Sequence, residues 1–272
     1  MKITVIEPTG GKRSFDLSEL WAFREVLWLL TLRDVKVRYK QTVLGGLWAI
    51  LQPLSTMTVL AIFFGYLGGF RNHTEHAYPV YVYAALLPWQ FFSGAVSTSS
   101  QSLIASATMV TRIYFPRTLL PLAAIAGVFV DFLLSFAVML CLMAVYDTEF
   151  TLRLVALPAL CVLLMLTTLG FGLLVAGLNA IYRDFRYIIG FVLQIWMFAS
   201  PIAYPLNVVP AEWQTLYSLN PVVGIVEGFR WALLGDPLRL DALGISVLVS
   251  LAALWLGARQ FQRLERRLAD LI

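Results

Sequence analysis

The residue types that most often do chemistry are sparse in this chain, and their spacing builds no reaction centre. Phosphate transfer by the chain itself would need G-x-x-x-x-G-K-[ST], whose glycine-rich turn cradles phosphates while the lysine reaches them. The nearest approach is Gly10-Gly11-Lys12, but Ile6 stands where the leading glycine belongs and Arg13 follows the lysine, so the segment reads as a turn. Neither H-E-x-x-H nor a G-x-S-x-G elbow occurs. His73 and His76 share one short polar segment and read as solvated loop residues. Cys141 and Cys161 lie in apolar stretches without metal-ligand spacing and read as packing residues. We expect no catalytic residue, no metal and no cofactor in this chain.

What the sequence offers instead is charge arranged around apolar runs. It is 60% hydrophobic and only 13% charged, too little polar side chain to cover a soluble surface. Apolar stretches at about 47–69, 80–104, 118–146, 152–178, 188–204 and 241–258 read as six membrane helices, since about 20 apolar residues cross a hydrocarbon core. The second ends in SGAVSTSSQSLIAS, whose small hydroxyl residues suit close helix packing or a wet path better than lipid. The short run 222–234, bracketed by Asn220-Pro221 and Gly235-Asp236-Pro237, suits a re-entrant segment. The first twenty residues have no apolar h-region or small-residue cleavage site, so we expect the first span to direct insertion.

Orientation follows from the cations. Eight basic residues precede the first span, Arg112, Arg117, Arg183 and Arg186 occupy two short loops, and Arg259, Arg263, Arg266 and Arg267 follow the last. With six spans all of these share one side, leaving Arg71, Arg153, Arg230 and Arg239 opposite, so the positive-inside rule puts both termini in the cytoplasm. The net charge of +4 then reflects topology and anionic headgroups, not nucleic acid. The expected organisation is a cytoplasmic N-terminus with an amphipathic interface helix (1–46), a transmembrane domain (47–258) and a basic tail (259–272). The segment 17–46 starts apolar and aromatic, turns basic through Arg33, Lys36 and Arg38, and is expected to lie in the headgroup layer.

Four stretches carry a family resemblance. Arg38-Tyr39-Lys40-Gln41-Thr42-Val43-Leu44-Gly45-Gly46-Leu47-Trp48 leads through Leu51-Gln52-Pro53 into the first span. Thr111-Arg112-Ile113-Tyr114-Phe115-Pro116-Arg117 precedes the third, Tyr182-Arg183-Asp184-Phe185 the fifth, and Leu219-Asn220-Pro221 through Glu227, Arg230 and Trp231 the sixth. In this order they resemble type-2 ATP-binding-cassette permeases of the polysaccharide-export family. The resemblance implies an all-helical homodimer in the bacterial inner membrane, served by two separate nucleotide-binding subunits that hold ATP and magnesium. It also implies a lipid-linked polysaccharide substrate of the O-antigen, capsule or teichoic-acid type. A drug or lipid exporter of the same class is the alternative; a membrane-embedded glycan-modifying enzyme is disfavoured because no carboxylates or histidines cluster at one membrane face.

Under this reading Arg33, Lys36, Arg38, Arg112, Arg117, Arg183 and Asp184 couple the permease to its ATPase. Asp131, in the third span, would cost several kcal/mol without a partner or water, and no cation stands at comparable depth in the sequence to name as its partner. It is placed with Trp89, Phe92, Trp196, Phe198 and Tyr204 as a candidate for the substrate path, where aromatic faces stack on sugar C–H faces. Trp196 and Phe198 cannot both face one path, since they point in different directions on a helix. The stretch 205–240 is expected to form short external helices resembling a gate, with Asn220, Pro221 and an i,i+3 pair of Glu227 and Arg230.

Overall fold

The computed structural model describes residues 17–40, 45–112, 115–182 and 184–271. The helices are α1 (Leu17–Ala22), α2 (Arg24–Lys40), α3 (Trp48–Leu60), α4 (Tyr78–Ala105), α5 (Ala107–Arg112), α6 (Leu119–Val145), α7 (Leu157–Ile181), α8 (Phe185–Phe198), α9 (Ala211–Tyr217), α10 (Pro221–Leu234) and α11 (Leu240–Leu271). No strand occurs among the described residues. Arg183, part of the third quoted motif, lies outside them, as do residues 41–44 and 113–114 of the other motifs.

Among the described residues, four helical segments are long and apolar enough to cross a membrane: Gly45–Leu67, Leu119–Val145, Leu152–Ile181 and Leu240–Leu264. They coincide with the expected first, third, fourth and sixth spans. The second expected span is a helix, α4, but it owes its shape to protein contact: most of it is buried, from Tyr78 to Leu103, and it packs on α6, α7, α10 and α3. Being enclosed, it tolerates the run Ser97-Thr98-Ser99-Ser100, in which the Thr98 and Ser100 hydroxyls donate to backbone carbonyls four and three residues back. The fifth ends at Phe198, so α8 rises only about 21 Å against a core of about 30 Å. The chain then turns at Ser200-Pro201, where proline cannot continue the helical ladder.

Helix α10 shows how sequence builds a short buried helix. The Asn220 side chain caps its start by accepting from Val222 N, Pro221 stands in the first turn where its missing N–H costs nothing, and Gly235 ends it at φ 87. Gly224 lies against the backbone of Ala242 and the hydroxyl of Ser246 on α11, so the two helices touch almost backbone to backbone. The α7–α11 pair is equally close: a Cβ on Gly170 would stand 2.6 Å from Leu254 N, and one on Gly257 would strike the Gly170 carbonyl. Thr167 and Ser250 bridge the same seam at 2.6 Å.

Two cores result. The larger joins α4, α6, α7 and α10 around Tyr83, Phe92, Met139 and Phe229. The smaller gathers Leu30 of α2 with Leu103, Phe115, Leu119, Leu120, Leu173 and Phe261. Helix α2 is packed onto the bundle through Leu30 and runs along α6, while most of its other side chains stay exposed or half-buried.

Candidate functional site

The course of α2 along α6 can be followed turn by turn. Gly127 of α6 faces Asp34 and Val35, with 3.9 Å to each from the position a Cβ would take. One turn further along both helices, the Arg38 guanidinium and the Tyr39 hydroxyl each donate to a different oxygen of Asp131. Beyond this, Gly46 lies near Leu134 and Tyr39, and Ser135 Oγ donates to Ala49 O at 3.0 Å. A stripe of α6 at 127, 131 and 134–135 thus guides the elbow between the interface helix and the first span. The partner left unnamed for Asp131 is Arg38, 93 residues away in sequence, because α2 extends far enough along α6 to reach it. The same carboxylate borders a pocket of about 370 Å³ whose polar lining includes Gln52, Gln90, Thr98 and Ser135.

Near its middle α2 also meets the segment after α4. Arg33 Nη2 donates to Ser106 Oγ at 3.4 Å, and Arg33 also pairs with Asp34 at 2.9 Å. Arg33, Lys36 and Lys40 line an open groove of about 430 Å³ with Leu29, Leu32 and Val37. Arg112, ending α5, and Asp184, preceding α8, are exposed, whereas Arg117 is half-buried after Pro116.

The opposite end of the bundle is built around Arg230, which is fully buried. The expected i,i+3 pair forms, Arg230 Nη1 to Glu227 Oε1 at 3.1 Å; Nη2 donates to Ile202 O at 3.0 Å, and the guanidinium lies 3.7 Å from the Tyr81 ring centre. Arg153 Nη1 donates to Gly235 O at 2.5 Å. His76, read as a solvated loop residue, is instead half-buried with Nε2 3.2 Å from Asp236 Oδ1. Burial pushes the Asp236 carboxyl above its usual range, with His76 and Arg230 opposing the rise and Glu75 adding to it.

The aromatic candidates divide. Trp89 and Phe92 belong to the core, at 3% and 0% exposure, and so line no open surface in this arrangement. Trp196 joins them edge-on, 5.2 Å from Phe92 and 5.1 Å from Phe171, while its Nε1 donates to Asn220 Oδ1 at 2.8 Å. Asn220 Nδ2 in turn reaches Ser200 Oγ at 2.9 Å, so the cap of α10 is tied to the turn that ends α8. Phe198 is 52% exposed and points elsewhere, as helix geometry requires. Tyr204 shares a hydrogen bond of 2.7 Å with Tyr217 across the turn between α8 and α9.

Polar ties thus join parts of the bundle at Asp131 and at the fully buried Arg230, and a basic helix stands beside the first span. The model of the ABC-2 type transporter family matches residues 25–234, from the first turn of α2 to the last residue of α10. The chain belongs to the ABC-2 type transporter family. Among its relatives, the O-antigen export system permease protein RfbA of Myxococcus xanthus is 28% identical over 93% of this chain and 98% of its own length. RfbA of Klebsiella pneumoniae is 24% identical over 96% and 99%, and the polysialic acid transport protein KpsM of Escherichia coli 26% over 82% and 88%.

Within this ABC-2 family member, sequence reasoning assigns no role to Gln52, Gln90 or Asp236, and His76 reads only as a solvated loop residue. Gln52 and Gln90 carried a usable signal, since an amide within an otherwise apolar span is costly unless it faces protein or water. The His76–Asp236 contact carried none, because 160 residues separate the partners.

Proposed function

We propose that this chain is the membrane-spanning permease subunit of an ATP-driven exporter that moves lipid-linked polysaccharide, of the O-antigen class, across the bacterial inner membrane. The observation that carries this reading is similarity along almost the entire length of permeases named for O-antigen export. Two copies of the chain would form the path, with α4 and α8 completing six crossings and both termini cytoplasmic. ATP and magnesium would reside on two nucleotide-binding subunits, since the chain offers no phosphate-binding loop of its own.

In this reading the basic groove of Arg33, Lys36 and Lys40, with the exposed Arg112, receives the ATPase. The tie from Trp196 through Asn220 to α10 makes the external helices move as one body with α8, as a gate would. The test is genetic. Deleting the gene should leave completed lipid-linked glycan on the inner face of the membrane and none at the cell surface, and the intact gene should restore surface glycan. Normal surface glycan in the deletion strain overturns the reading.

A further inference from the structure

We propose that Asp131 on α6 and Arg38 and Tyr39 on α2 form a tether that makes α6 follow the interface helix, so that these three are positioning residues for transport. The proposal rests on the exporter reading above. It starts from the cost of the carboxylate: within a 27-residue apolar helix an ionised side chain is retained only where it is paired, and well-packed apolar residues would hold two helices together at no such cost. A charged tie is justified where it fixes one register against others.

The geometry fits that role. Arg38 and Tyr39 are adjacent on α2 and so project in directions roughly 100° apart. Each takes one oxygen of the same carboxylate, which therefore fixes both the height of the α2 terminus and its rotation. Apolar contact along the Gly127 stripe would permit sliding, because a glycine surface offers no ridge to hold a partner in place. The tether stands at the elbow, where Gly46 and Ala49 meet Leu134 and Ser135, so a push on α2 reaches α6 and the first span together. Arg38 and Asp131 keep 30% and 23% side-chain exposure beside the pocket, which the amides of Gln52 and Gln90 also line, so polar groups are at hand if the tie must open.

The experiment uses the permease assembled with its ATPase in proteoliposomes and reads export per ATP hydrolysed together with the amount of assembled complex. Asp131→Asn and Tyr39→Phe should each lower export per ATP about fivefold or more, the lower end of ordinary coupling between sites, in complex of near-normal abundance. The exchange Arg38→Asp with Asp131→Arg should recover part of that loss, which a merely structural lesion would not. Wild-type export per ATP in Asp131→Asn, or a loss that only tracks abundance with no recovery in the exchanged pair, overturns the tether. A second readout needs no cargo. In a background carrying Cys141→Ser and Cys161→Ser, spin labels at Trp28→Cys on α2 and Leu133→Cys on α6 of one copy should keep one distance with and without ATP when Asp131 is intact, and separate into two in Asp131→Asn; a distance insensitive to Asp131→Asn overturns the tether. Wild-type complex that hydrolyses ATP without moving glycan overturns the exporter reading, while the label distances still decide the tether.

Discussion

At the scale of single residues, the most consequential side chain is Arg230, a buried cation held by one carboxylate, one carbonyl and one aromatic face. Removing its counter-charge strands it, and breaking a buried pair on one side costs about 3–5 kcal/mol. Glu227→Ala should therefore lower unfolding stability in detergent by about that much, while Glu227→Gln, which keeps an acceptor, should lose less. Equal losses for the two would show that the carboxylate charge is irrelevant there. Asp236 gives a pH prediction of definite sign. Its carboxyl is raised above the unfolded value, so the folded state favours its protonated form, and its contribution is most favourable at low pH and declines as pH rises through the raised value. Unfolding midpoints measured from about pH 4 to about pH 7 should show this decline, and Asp236→Asn should flatten it; an unchanged slope in that variant counts against the assignment.

Elements show where sequence was and was not sufficient. The apolar runs that became α6 and α7 were legible because lipid and core both demand the same residues along a long helix. The i,i+3 pair in α10 was legible because helix periodicity alone brings Glu227 to Arg230. Helix α4 was readable as a helix but not as an enclosed one, since burial by neighbours is a tertiary fact. The partner of Asp131 was hidden for the same reason: sequence places Arg38 before the first span, and only the packing of α2 on α6 brings it level with the carboxylate.

Helix seams also carry predictions. Alanine normally improves a helix over glycine by up to about 1 kcal/mol, and Gly190→Ala on α8, where nothing stands within 4 Å, should do no harm. Gly257→Ala on α11 should instead force the α7–α11 seam apart and lower both yield and melting temperature. Similar behaviour of the two variants would contradict the seam. On α8, Trp196→Ala should lower abundance, because it removes an aromatic cluster member and the partner of Asn220, whereas Phe198→Ala should leave abundance near normal and affect export alone if its exposed ring meets the glycan. Immunoblots of membranes beside surface glycan per molecule of permease separate these outcomes. Export unaffected by Phe198→Ala would reduce that ring to an interfacial anchor.

For the whole molecule, apolar helices and family membership agree on a multi-pass membrane transporter, and under the proposed function it turns work done by another protein into movement across a membrane. Helix α2 is tied to α6 at Asp131, and the turn after α8 is tied to the cap of α10 through Asn220, so polar contacts link successive parts of the bundle. The most direct measurement is glycan movement in sealed proteoliposomes containing this chain, its ATPase subunit and the lipid-linked polysaccharide of its host. Glycan should cross only when ATP and magnesium meet the ATPase side, and the chain alone should neither hydrolyse ATP nor move glycan. ATP turnover by the isolated chain, or a complex that hydrolyses ATP while every glycan stays on its original side, would contradict the proposed function.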